Sequence, residues 1–83
     1  MWLAIYSNSI DPYDSYQLMA IDSHKSDAIN SLYEKIQQLP PQAHHNRGTK
    51  ITRSYLKENA SFHRIKIGSV YNYTMNQIME DQQ

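Results

Sequence analysis

The stretch from Ser23 to Pro41 constrains the fold more than any other part of the chain. Ala28, Ile29, Leu32, Tyr33, Ile36 and Leu39 recur at three- and four-residue spacing and form one apolar stripe on a helix. Ser23 stands where an N-cap belongs, and Asp27 puts negative charge in the first turn, where the helix dipole favours it. Pro40 and Pro41 end the helix, because the residue before a proline is pushed out of the helical region. The spacing predicts a helix over Lys25–Gln38 whose far face (Asn30, Ser31, Glu34, Lys35, Gln37, Gln38) is polar. A helix with a single apolar stripe must bury it against a second layer, and the flanking segments have to supply that layer.

Those segments read as strands. Trp2–Tyr6 is short, apolar and aromatic, and Tyr16–Asp22 is a second strand with imperfect alternation. The Asn, Asp, Ser and Pro residues between them form a turn of about nine residues. Neighbouring strands so joined pair antiparallel in the simplest arrangement. Beyond the polar loop from Pro41 to Gly48, Thr49–Leu56 is rich in Ile, Thr and Tyr, and Ser61–Gly68 alternates, with Arg64 and Lys66 opposite in face to Ile65 and Ile67. With Lys57–Ala60 as a turn, the two make a β-hairpin. A helix over residues 50–58 is the competing reading, since Ile51 and Tyr55 also lie one turn apart. Met75, Ile78 and Met79 predict a terminal helix from Asn72 to Asp81. The expected fold is α+β in two layers, an antiparallel sheet in β-β-α-β-β-α order with the main helix on one face. The competing order is β-β-α-α-β-α.

Composition narrows the chemistry. Eighty-three residues make one small globular domain, 1–83. There is no cysteine, hence no disulfide, thiolate zinc site or cysteine nucleophile. That usage fits a cytoplasmic protein, and no apolar run or basic leader points to a membrane or to export. Two glycines leave no glycine-rich phosphate loop, and no Gly-x-Ser-x-Gly elbow exists. Asp11, Asp14 and Asp22 flank strand ends but read as turn and cap residues. His44-His45 lacks the spaced second pair of a structural zinc motif and reads as two exposed loop histidines. His63 reads as a partly buried strand residue bonded to backbone, and His24 as surface. No enzyme activity, metal or cofactor is expected.

The zero net charge conceals a partition. Residues 1–40 carry a net −3 and residues 69–83 a net −2. Residues 41–68 carry +5, from Arg47, Lys50, Arg53, Lys57, Arg64 and Lys66 against Glu58. If Ile65 and Ile67 face the helix, Phe62, Arg64 and Lys66 face outward, and a cationic sheet face with an aromatic on it results. Such a face can steer an acidic protein surface or contact nucleic acid. The plain alternative is that strands carry Lys and Arg to block edge pairing. Seven tyrosines are the other anomaly, and they suit either a binding surface or the rim of a small core.

The length, the layout and the lack of catalytic motifs resemble in type the small accessory or inhibitor proteins of mobile elements and phages, including anti-CRISPR proteins. No motif carries that likeness, so no residue role follows from it. The expectation is a non-enzymatic protein-binding module, an inhibitor or adaptor of a larger assembly. Its contact residues are Arg47, Lys50, Arg53, Tyr55, Phe62, Arg64 and Lys66. The alternative is a small nucleic-acid-binding domain using a basic hairpin. Near-neutral charge and open sheet edges also predict a homodimer.

Overall fold

The computed structural model describes residues 1–8, 15–66 and 68, and the backbone of two further strands at 71–74 and 77–80. Strand β1 (Trp2–Asn8) is the middle of a three-stranded antiparallel sheet. It pairs on one side with β2 (Tyr16–Asp22) in an unbroken register from Trp2↔Asp22 to Asn8↔Tyr16. On its other side lies a short strand at Ser61–Arg64, registered from Trp2↔Arg64 to Ile5↔Ser61. The antiparallel β1–β2 pairing and the two-layer α+β architecture are as the sequence predicts.

Helix α1 (Lys25–Gln37) lies across the sheet. Ala28, Leu32 and Ile36 are buried, with Ile29 and Tyr33 packed at the margin. They meet Ala4 and Tyr6 of β1, flanked by Leu18 and Ala20 of β2. The expected stripe therefore holds. The expected cap does not: the N-cap is His24, with no side-chain hydrogen bond, because Ser23 stands one residue too early. After Pro40 the chain makes a 3-10 turn over Pro41–His44. A two-residue pairing follows, β3 (His45–Asn46) with β4 (Thr49–Lys50). Arg47 and Gly48 join them with φ of 51° and 82°, as a tight hairpin turn with two left-handed residues requires.

The expected hairpin of residues 49–68 is absent, and the competing helical reading is the correct one. Arg53–Asn59 is a helix, α2. Thr52 caps it, its hydroxyl accepting from the Tyr55 N–H at 3.1 Å. Leu56 and Ile51 are fully buried in the common core. A helix here puts Leu56 against the core and leaves Arg53, Lys57 and Glu58 exposed, a separation that a strand over the same residues does not make. The strand that follows, β5 (Ser61–Arg64), pairs with β1 instead of with residues 49–56. Its faces are the reverse of those expected: Phe62 packs against the core on the helix side, beside Ala4. Ile65 lies beyond the strand, its N–H bonding the Met1 carbonyl at 3.0 Å.

The described parts of the tail are strands where a helix was expected. β6 (Tyr71–Thr74) and β7 (Gln77–Glu80) pair antiparallel from Tyr71↔Glu80 to Thr74↔Gln77. The aromatic and β-branched character of Tyr71, Tyr73 and Thr74 prevails over the helical spacing of Met75, Ile78 and Met79. The turn containing Asp11, Tyr13 and Asp14 lies outside the described residues, as does Ile67.

Candidate binding face

At the end of the sheet where β1 begins, three elements converge. The pairing Trp2↔Arg64 sets the Trp2 ring beside the last residue of β5. Helix α1 starts directly after β2, so its first residue, Lys25, arrives at the same end. The Lys25 ammonium sits 4.4 Å from the centroid of the Trp2 ring and 5.5 Å from that of Phe62. The Arg64 guanidinium lies 5.5 Å from the Trp2 ring. Two cations and two half-buried aromatic rings thus form one cluster, in contacts each worth about 0.5–1 kcal/mol at an exposed position.

The cationic surface continues between the helices. The Arg53 guanidinium stacks 4.2 Å over Tyr33 of α1, and its Nε donates to Asn30 Oδ1 at 2.7 Å. Lys57 lies one turn further along α2. Together with Ser26, Ile29, Asn30 and Ser54 these two cations line an open groove of about 230 Å³. Ser26 adjoins Lys25, so the groove and the Trp2 cluster meet at the first turn of α1. Among the described residues, none of Lys25, Arg53, Lys57 and Arg64 has a carboxylate within ion-pair distance; His24 and Asp27 pair with each other instead, at 3.4 Å.

The structure divides the contact residues expected from the sequence. Phe62 and Arg64 come together, as expected, although through the helix side of the sheet. Arg53 joins the same side through α2. Arg47 and Lys50 lie on the β3–β4 hairpin, and Lys66 lies past the end of β5. Tyr55 is partly buried and turned inward: its ring meets Tyr6 edge-on at 5.9 Å, and its hydroxyl accepts from Asn46 Nδ2 at 2.7 Å. Trp2, Lys25, Tyr33 and Lys57 were missed. Their convergence depends on β5 pairing with β1 and on α1 and α2 lying side by side, and no local spacing records either fact.

The opposite end of β1 holds Tyr6, Tyr16 and Tyr55 in a structural role. Asn8, only 1% exposed, donates through Nδ2 to the Tyr16 hydroxyl at 3.1 Å and to the His45 carbonyl at 3.0 Å. Tyr16 donates to the Ala43 carbonyl at 2.8 Å. These bonds fasten the 3-10 turn and β3 to the sheet. Tyr6 stands among them, 2% exposed, its ring 6.3 Å from that of Tyr16. Tyr55 and Asn46 crowd its hydroxyl, which has no hydrogen-bond partner of full geometry among the described residues. Burial raises the Tyr6 phenol pKa well above its ordinary 10.0, and the neighbouring Tyr55 and Tyr16 add to the rise. Burial also raises that of Tyr16, opposed by the Asn8 bond.

The histidines take separate places. His44 Nε2 lies 2.8 Å from the Leu39 carbonyl, while His45 is exposed. His63 is partly buried as expected, but its Nε2 has no hydrogen-bond partner among the described residues. Among the described residues no three His, Asp or Glu side chains gather as metal ligands. No helix among them is long and apolar enough to cross a membrane. No family model, curated protein or solved structure matches the chain.

Proposed function

We propose that the chain is a small non-enzymatic, cytoplasmic protein-binding module, an inhibitor or adaptor of a larger assembly, that docks an acidic protein surface on the face made by α1, α2 and β5. One observation carries this reading: Lys25, Arg53, Lys57 and Arg64 share this side of the molecule with no carboxylate of the described residues within ion-pair distance, and three of them are held against aromatic rings. Unneutralised charges raise the on-rate for an oppositely charged partner. Rings and stacked guanidinium groups lose little conformational freedom on binding, which is the usual makeup of an interface anchor. Acidic protein is favoured over nucleic acid because the Lys25 ammonium already sits over the Trp2 and Phe62 rings where a base would stack. The chain's acidic remainder also repels a long phosphate backbone.

The test is affinity capture from the native host with the wild-type chain and with the Lys25→Glu/Arg64→Glu variant, quantified by mass spectrometry. The expected result is an acidic protein retained by the wild type and lost by the variant. Equal capture by the two folded proteins overturns the proposal. Retention of nucleic acid that falls steeply and log-linearly with salt replaces it with the nucleic-acid reading.

A further inference from the structure

The groove between the two helices holds more positive charge than its own walls neutralise. Its polar lining is Ser26 and Asn30 from α1 with Arg53, Ser54 and Lys57 from α2, and Ile29 makes its apolar wall. No Asp or Glu lines it. Asp27, next to Ser26 in α1, pairs with His24 instead. Arg53 is held on two sides: its Nε donates to Asn30 Oδ1 at 2.7 Å, and its guanidinium lies 4.2 Å over the Tyr33 ring. What the guanidinium still offers is its outer edge, the Nη pair, a fork that matches two oxygens of a single oxyanion. Lys57 follows Arg53 by four positions, so it stands on the same side of α2 one turn away. Glu58 is one position further on, where a helix presents a different face.

We propose that this groove receives the phosphorylated side chain of a serine or threonine on the protein partner. The inference rests on the protein-binding reading of this face and names the group the face recognises. Charge selects the group. A carboxylate carries one negative charge and neutralises Arg53 alone, whereas a phosphate monoester carries about −1.5 to −2 near pH 7 and answers Arg53 and Lys57 together. Its three terminal oxygens also suit the donors present: the Arg53 fork, the Lys57 ammonium and the hydroxyls of Ser26 and Ser54. A phosphodiester of nucleic acid carries a single charge per phosphate, a poorer match to two cations in one groove. Size selects the carrier. The groove holds about 230 Å³, below the ~300–1,000 Å³ of a small-molecule pocket and suited to one side chain. Its five polar residues are all exposed, so the groove is shallow, and the short arm of serine or threonine reaches its cations. Arg53 is already ordered by Asn30 and Tyr33, so less of its freedom is lost on binding. Ser26 adjoins Lys25, and acidic residues flanking the phosphorylated one then meet the Lys25 and Arg64 cluster.

Titrations of the isotope-labelled full chain, followed by backbone amide NMR shifts, test the site. The probes are acetyl-Glu-phosphoserine-Glu-amide, the same peptide with Glu or Ser at its centre, inorganic phosphate, and thymidylyl-thymidine as a phosphodiester. The expected result is saturable shifts at Ser26, Asn30, Arg53, Ser54 and Lys57 with the phosphopeptide, which should bind about tenfold or more tighter than every other probe. Arg53→Gln and Lys57→Gln, each alone, should weaken that binding about fivefold or more. Lys35→Gln, beside β2 on another side of α1, should leave it unchanged. Lys57 is exposed, so its variant keeps the test open even if Arg53→Gln disturbs the packing of α2. Equal binding of the Glu peptide, inorganic phosphate or thymidylyl-thymidine overturns the proposal. So do shifts that fall outside the groove, or phosphopeptide binding indifferent to both groove variants. The wider reading is judged apart from this one. A captured acidic partner that needs Lys25 and Arg64 but is retained after phosphatase treatment of the lysate leaves the protein-binding module standing and removes the phosphate.

Discussion

Tyr6 and Tyr16 sit 6.3 Å apart, ring to ring, and their hydroxyls have opposite fates. Tyr16 donates one hydrogen bond and accepts another, whereas the buried Tyr6 hydroxyl finds no partner of full geometry among the described residues. Removing a satisfied buried group strands its partners, while removing an unsatisfied one strands nothing. Tyr16→Phe should therefore cost about 1–3 kcal/mol and Tyr6→Phe less than about 1 kcal/mol, or even stabilise. Urea melts of the two variants check this, and a larger loss from Tyr6→Phe contradicts it.

The same residues set an alkaline limit. Folding raises both phenol pKa values above 10.0, so above that pH the unfolded chain has released protons that the folded chain retains. The unfolded state then binds fewer protons, and stability declines as pH rises. The contribution is fully present below pH 10.0 and is lost above it, by up to about 1.4 kcal/mol per pH unit for each phenol. Tyr6→Phe should flatten the decline between neutral and strongly alkaline pH, as followed by thermal melts. Identical slopes for wild type and variant would remove Tyr6 from the account.

At the scale of elements, the segment from Ile51 to Arg64 decides the topology. Its residues suit either strand or helix, since Ile, Thr and Tyr favour strands while Ile51 and Tyr55 also match helical spacing. The helix prevails because Thr52 caps it and Leu56 reaches the core. Thr52→Ala should cost about 0.5–2 kcal/mol, the range for losing a cap, whereas Thr49→Ala on the exposed β4 should change stability little. Equal effects would argue against the capped helix. This element also explains which parts of the binding face were legible in the sequence. The excess of positive charge in residues 41–68 was legible, and so was the Phe62–Arg64 alternation. Their true companions were not, because Trp2 and Lys25 are remote in the chain and meet Arg64 only through the β1–β5 register.

For the molecule as a whole, stability rests on a small set of buried side chains: among the described residues Tyr6, Leu32, Ile36, Ile51 and Leu56 are the largest apolar ones. At about 0.05–0.15 kcal/mol per residue, a domain of this size has roughly 4–12 kcal/mol in hand. Leu32→Ala, at about 2–5 kcal/mol, removes a large part of that. Its melting temperature should fall sharply or its transition vanish, while Glu34→Ala on the exposed side of α1 stays near wild type. Equal melting temperatures would contradict the placement of α1.

The amino-acid sequence alone determined the elements with strong local signals. The α1 stripe and its proline stop, the strand at Tyr16–Asp22, the antiparallel β1–β2 pair and the concentration of positive charge after Pro41 all follow from spacing and composition. Each depends on residues within a few positions of one another, where periodicity and backbone preference act directly. Tertiary structure decided whether residues 53–59 coil, which strand β5 joins, which way Phe62 faces and which cations gather. Burial and strand pairing between distant segments settle these, and they outweigh propensities that are nearly balanced locally. Phe62 shows the difference most simply. Alternation placed it opposite Ile65 and Ile67 and pointed it outward, but pairing with Ala4 of the central strand turned it toward the core.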